Sequence, residues 1–219
     1  MLFQNSPYFI AEIGVNHDGS LDKAINLIES AKQCGAHAVK FQSFKAKDVV
    51  IDKAPKANYQ LETTSKKESQ KKMLEKLELA IEWYPKLKKC CDNNNLQLIS
   101  TPYTFKDAEL MKQYGFDYIK LASVSAVEYP LIYKLSTLGL PIIFSTGMCS
   151  LSEIDNLYCY AKNLFEKFVI LHCTSCYPTE IKDANLSVLK YLLEKYDCPI
   201  GFSDHTLDIR IAFAASTIN

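Results

Sequence analysis

Seven short apolar runs punctuate the 219-residue chain, and each ends in side chains able to hold an anion or a metal. They are FIAEIGVNHDG (9–19), AVKFQ (38–42), LQLISTP (96–102), YIKLAS (118–123), PIIFSTG (141–147), VILHCT (169–174) and PIGFSDHT (199–206). Amphipathic stretches lie between them. Leu21, Ala24, Ile25, Ile28 and Ala31 recur at helical spacing, with Ser20 as N-cap and Gly35 as the stop after Cys34.

Further helices are expected at 68–78, 81–93, 105–114, 128–138, 152–163, 186–195 and 207–217. Pro85 suits a first helical turn, and Asn93-Asn94-Asn95 ends that helix. Strands are expected at 38–42, 96–100, 118–122, 142–145, 168–173 and 200–203, besides the first run. Strict alternation of strand and helix implies a parallel sheet with right-handed crossovers. Chemistry at the carboxyl end of every strand specifies an α/β fold of the TIM (β/α)8-barrel type, whose strand ends share one active site. The chain reads as one domain over 1–219, with seven βα units and an apparent truncation before strand 8. Without that strand, the edges of strands 1 and 7 are exposed. The polar segment at 44–70 reads as an active-site loop.

Twenty-five basic residues balance 25 acidic ones, which argues against a nucleic-acid or membrane-surface partner. The apolar runs are far shorter than a membrane span. The N-terminus has neither a basic n-region nor a small-residue cleavage site, so a cytoplasmic protein is expected. Its eight cysteines are then free thiols. Cys173 and Cys176 match C-x-x-C but end a strand, and they read as two small buried residues rather than a redox or zinc motif.

Lys40 lies inside an apolar strand, where alternation gives it the inner face together with Gln42. Lys120 repeats that placement on the fourth strand. Both read as anion anchors, against the alternative of salt-bridged structural lysines. Thr101, Ser123, Ser145, Thr146 and Ser203 end strands and add hydroxyl donors that bring no negative charge. Gly147 allows close backbone approach. Asn16, His17 and Asp18 suit either water and proton handling or a plain turn. His205 is a candidate metal ligand with Asp204 as its partner; His172 and Tyr177 are weaker candidates.

The segments AEIGVNHDGSLDKA, AVKFQ, ESQKKMLEKLEL, ISTPY, YIKLAS, YPLI, GLPIIFSTGM, LHCTSCYPTE and IGFSDHT come in one order over nearly the whole chain. In that order they resemble the N-acetylneuraminate (sialic acid) synthase family, which includes legionaminate and pseudaminate synthases. The resemblance implies an enzyme that condenses phosphoenolpyruvate with an N-acylated mannosamine-type hexosamine. The product is a nonulosonic acid, and phosphate is released. A divalent metal, typically manganese with magnesium or cobalt as alternatives, would polarise the sugar aldehyde.

By motif position, Lys40, Thr101, Ser123, Ser145 and Ser203 would hold phosphoenolpyruvate, and Lys120 would neutralise its charge. Gln42 and Tyr177 would touch the sugar, Asn16 and Asp18 would handle water and proton transfers, and His205 would be one of two metal histidines. The full-length form is implied to be a homodimer. Four departures stand out. Asp18 replaces a common glutamate, and Ser125 replaces a sugar-binding glutamate, with Glu128 nearby in another register. The strand that normally carries the second histidine is missing, and so is the C-terminal antifreeze-like domain. These 219 residues alone are therefore expected to show little or no synthase activity. Two other readings are a truncated non-catalytic phosphate-binding or interaction protein and another phosphoenolpyruvate-dependent aldol-type synthase. Arg210 is the only arginine, which leaves no cluster for a sugar phosphate.

Overall fold

The computed structural model describes residues 7–57, 60–61, 64–65 and 68–218. They form two compact units, one of Tyr8–Ile119 and one built on Lys120–Asn219. The fold class is α/β of the (β/α)8-barrel type, with seven βα units among the described residues.

In the first unit the elements are β1 (Ile10–Gly14), α1 (Leu21–Gln33), β2 (Ala38–Ser43), α2 (Ala46–Val49), α3 (Gln70–Glu75), a 3-10 turn (Ile81–Trp83), α4 (Tyr84–Asn93), β3 (Gln97–Pro102), α5 (Phe105–Gln113) and the start of β4 (Tyr118–Leu121). The Ser20 hydroxyl accepts from Lys23 N and opens α1, which buries Ala24, Ile28 and Ala31. Pro85 lies in the first turn of α4, where its missing N–H costs nothing. Strand β2 pairs in parallel with β3 from Ala38 opposite Gln97 to Ser43 opposite Pro102. It also pairs with β1, but that register slips between Glu12 and Gly14. Ile28, Val39, Phe41, Leu87, Leu98, Ile99 and Ile119 are fully buried, as a strand covered on both faces requires. Within this core the Ser43 and Ser100 hydroxyls meet at 2.8 Å, and Tyr84 Oη donates to Ser43 at 2.9 Å.

Helix α3 is shorter than the 68–78 expected from the sequence. Ser69 caps it at Lys72 N, and beyond Lys76 the chain turns aside. There the Glu78 carboxylate accepts from Ala46 N and Lys45 Nζ, at 2.8 Å each, and Leu79 is buried. Part of the 44–70 segment lies outside the described residues.

The second unit continues β4 and adds a 3-10 turn (Ser123–Ser125), α6 (Tyr129–Ser136), β5 (Ile142–Ser145), α7 (Leu151–Leu164), β6 (Phe168–Cys173), a 3-10 turn (Ile181–Asp183), α8 (Ser187–Lys195), β7 (Ile200–Ser203) and α9 (Ile209–Ser216). Strands β5, β6 and β7 pair in parallel, with Ser145 opposite Leu171 and Cys173 opposite Ser203. A capping box of Ser150 and Glu153 starts α7. Ile154, Ile170, Leu192 and Tyr196 form a buried cluster. By contrast β7 is only half-buried and α9 has no buried residue. No helix among the described residues is long and apolar enough to cross a membrane.

All eight cysteines are free. The expectation that both Cys173 and Cys176 are buried holds only for Cys173. Cys176 is exposed, because it has left β6 for the loop in which its thiol bonds the Pro178 carbonyl.

Candidate active site

Each unit gathers its own cluster of the residues singled out in the sequence. In the first unit, alternation along β2 gives Lys40 and Gln42 one face, between the buried Val39, Phe41 and Ser43. The ladders set Lys40 opposite Glu12 of β1, and Gln42 opposite Thr101 of β3. Lys40 Nζ lies 2.6 Å from Glu12 Oε2 and donates to Thr101 Oγ1 at 3.2 Å. Lys40 is thus salt-bridged and also held against a hydroxyl at the strand end.

Glu12 was not among the sequence candidates. Its signal was a carboxylate inside the otherwise apolar run IAEIG.

Asn16, His17 and Asp18 form a tight turn after β1, closed by Asp18 N to Val15 O at 3.1 Å and Ser20 N to His17 O at 2.9 Å. Asp18 has a left-handed backbone (φ 48°) that Asp tolerates better than most residues. Its carboxylate is ion-paired with Lys23. Asn16 is exposed, whereas His17 is fully buried. The His17 ring packs against Phe41 and edge-on to Trp83, and Nδ1 accepts from Gly19 N at 3.1 Å. Burial holds the His17 pKa below its ordinary value. Nε2 is buried without a hydrogen-bond partner. His17 therefore anchors the turn from inside, while Asn16 and Asp18 are displayed.

In the second unit, Lys120 is only 7% exposed, and its Nζ donates to Ser145 Oγ at 2.5 Å and to Leu121 O at 3.3 Å. Gly147 N donates to Ser123 Oγ at 3.0 Å. A Cβ on Gly147 would fall 2.3 Å from Ser175 Oγ, so glycine alone lets these hydroxyls converge. Ser175 is a second residue the sequence reading missed, because nothing local to C-T-S-C marks it. Thr146 instead bonds the Leu171 carbonyl at 2.9 Å. Ser203 stands opposite Cys173 at the end of β7.

His205 Nδ1 donates to Thr174 O at 2.8 Å, which fixes the tautomer and turns Nε2 toward Tyr177 Oη at 3.2 Å. The two rings stack at 4.2 Å between centroids. Cys173 Sγ lies 3.8 Å from His205 Nδ1. Burial pushes the Cys173 thiol up, but His205, Ser123 and Lys120 overcome it and hold the pKa below the ordinary thiol range. Burial lowers the His205 pKa, while Cys173 and the Thr174 carbonyl raise it, with a net upward shift. His172 serves structure: Nε2 meets Ala184 O at 2.9 Å and the ring packs on Phe202. Asp204 does not partner His205; it accepts from Thr206 N at 2.8 Å. Ser125 Oγ donates to Glu128 Oε1 at 2.9 Å, so that carboxylate is fastened to the turn after β4.

His205 offers one nitrogen with an oriented ring, as metal histidines do. Among the described residues, however, no group of three or more His, Cys, Asp or Glu is arranged to hold a metal ion. That is short of the three protein ligands of a typical catalytic site.

In each unit a lysine is bonded to a hydroxyl at a strand end, on a (β/α)8-type scaffold. Comparison with known proteins narrows the class. The NeuB family model matches residues 27–218. The N,N'-diacetyllegionaminic acid synthase of Campylobacter jejuni is 40% identical over 94% of this chain and 63% of its own length. The synthase of the same name from Legionella pneumophila is 37% identical over 93% of this chain and 59% of its own length. The crystal structure of N-acetylneuraminic acid synthetase from Leptospira borgpetersenii, in complex with citrate, superposes with a TM-score of 0.83 at 31% identity. That match covers 96% of this chain and 69% of the other. The chain belongs to the NeuB family. It spans about three-fifths of the length of those curated relatives.

Proposed function

We propose that this protein is a nonulosonic acid synthase that condenses phosphoenolpyruvate with an N-acylated mannosamine-type hexosamine. The methylene carbon of phosphoenolpyruvate attacks the open-chain aldehyde and forms the new C–C bond. Water adds at the carbon bearing the phosphate, the C–O bond breaks, and inorganic phosphate leaves a 2-keto acid. The observation that carries this reading is the pair of strand lysines, each bonded to a strand-end hydroxyl: Lys40 to Thr101 and Lys120 to Ser145. Ammonium and hydroxyl donors suit a phosphate or carboxylate, and relatives named as legionaminic acid and N-acetylneuraminic acid enzymes supply the substrate class.

In this reading Lys40, Thr101, Ser123, Ser145 and Ser203 hold phosphoenolpyruvate, and Lys120 neutralises its charge. Gln42 and Tyr177 contact the sugar. Asn16 and Asp18 orient water and move protons; Asp18 acts through a bridging water because its side chain is short and must first leave Lys23. A divalent metal, manganese first and magnesium or cobalt as alternatives, belongs to the proposal with His205 as one ligand. No step above depends on it, since one nitrogen does not make a site. The complete protein is proposed to be a cytoplasmic homodimer with no nucleic-acid or membrane partner.

Calorimetric titration of phosphoenolpyruvate tests the anchor. Lys40→Ala is expected to weaken binding about tenfold or more, the worth of one charge-assisted contact. Unchanged affinity makes Lys40 structural and removes the observation on which the reading stands.

A further inference from the structure

The carboxylate that faces Lys40 has no role in the mechanism above, although the chain is shaped to bring it there. The β1–β2 register slips between Glu12 and Gly14. Gly14 has a left-handed backbone (φ 56°), and a Cβ on it would fall 2.9 Å from Glu12 Oε1. The carboxylate rests over the glycine and reaches Lys40 Nζ at 2.6 Å. The lysine side chain is 12% exposed and the glutamate 50% exposed, so the base is fixed in the strand wall while the acid faces water.

We propose that Glu12 is a positioning residue: it occupies Lys40 as a built-in anion in the substrate-free protein and yields that place to the incoming phosphate or carboxylate. The inference rests on the proposed anchoring role of Lys40. Lys40 in the sheet wall needs a partner when no ligand is bound, because an uncompensated half-buried ammonium destabilises the fold. A carboxylate left beside a bound anion opposes it, so Glu12 must swing away, and its half-exposed position permits that. Thr101 stays bonded to Lys40 and preserves the aim of the ammonium. Glu12 thus stabilises the empty site and weakens anion binding by the strength of a partly exposed ion pair.

Those two effects have opposite signs, which a purely structural residue would not produce. The test is calorimetric titration of the full chain, wild type and Glu12→Gln, with inorganic phosphate and then with phosphoenolpyruvate, alongside thermal melts. The expected result is a phosphate Kd about fivefold lower in Glu12→Gln, together with a lower Tm. Glu12→Asp, too short to span the same gap, should give an intermediate Kd and serves if the glutamine variant does not fold. An unchanged or higher Kd in the folded variant overturns the inference. Lys40→Ala separates the two readings. If it leaves phosphate affinity unchanged, the anchor itself fails; if it weakens affinity while Glu12→Gln does not tighten it, only the role of Glu12 fails.

Discussion

Both units place a lysine inside a strand, but they surround it differently. In the first, Lys40 of β2 meets a carboxylate and a hydroxyl, and the acid partner is open to water. In the second, Lys120 of β4 is nearly sealed and meets the Ser145 hydroxyl and the Leu121 carbonyl. One ammonium is paired with a half-exposed carboxylate, and the other meets a hydroxyl and a backbone carbonyl. The scaffolds differ too. Strand β3 of the first unit is buried nearly along its length, while β7 of the second is half-buried and α9 exposes Ile209 (84%) and Phe213 (72%). Both units have a buried apolar core. Ser203 and His205 lie on or just after β7, which is less packed than β3.

The sharpest contrast should appear in packing. Leu98→Ala on β3 removes a fully buried side chain and is expected to cost about 2–5 kcal/mol in chemical denaturation. A loss below about 1 kcal/mol would mean that Leu98 is not held in a close-packed core. Lys120→Met keeps the stem and removes the charge. Phosphoenolpyruvate affinity should fall about tenfold or more while stability stays within about 1 kcal/mol, since burying a charge is itself costly. If stability collapses instead, the role of Lys120 is structural.

Helix capping gives a smaller effect. Ser150→Ala should cost about 1 kcal/mol, because it removes the hydroxyl of a capping box. His17 contributes a pH dependence, because burial depresses its folded pKa. The unfolded chain then binds the proton more readily, so stability is full above the ordinary histidine pKa and falls as pH drops through the folded value. His17→Leu should flatten that acid limb in melts recorded from neutral pH downward; an unaltered limb would assign it to other groups. Phe213→Ala on α9 should change stability by less than about 0.5 kcal/mol. A larger loss would show that the helix is covered in solution.

Alternating runs made the βα order legible, and single residues such as Ser20 and Pro85 marked helix starts because their local chemistry leaves few alternatives. The strand lysines were legible because alternation fixes the face a side chain takes. Long-range register was not. The approach of Glu12 to Lys40 depends on which residue of β1 the pairing sets opposite the lysine, which no local pattern reports. N-H-D-G reads as a turn, and the burial of His17 in it depends on Phe41 and Trp83, far along the chain. The early end of α3 is equally remote in origin, since Glu78 turns aside to bond Ala46 and Lys45.

The most direct test of the central claim is phosphate release from phosphoenolpyruvate by the complete protein, measured with and without an N-acylated mannosamine-type hexosamine. The account predicts release that depends on the sugar, matches it mole for mole, and is lost in Lys40→Ala. Release without the sugar, or no release with any N-acylhexosamine while phosphoenolpyruvate still binds, would contradict it.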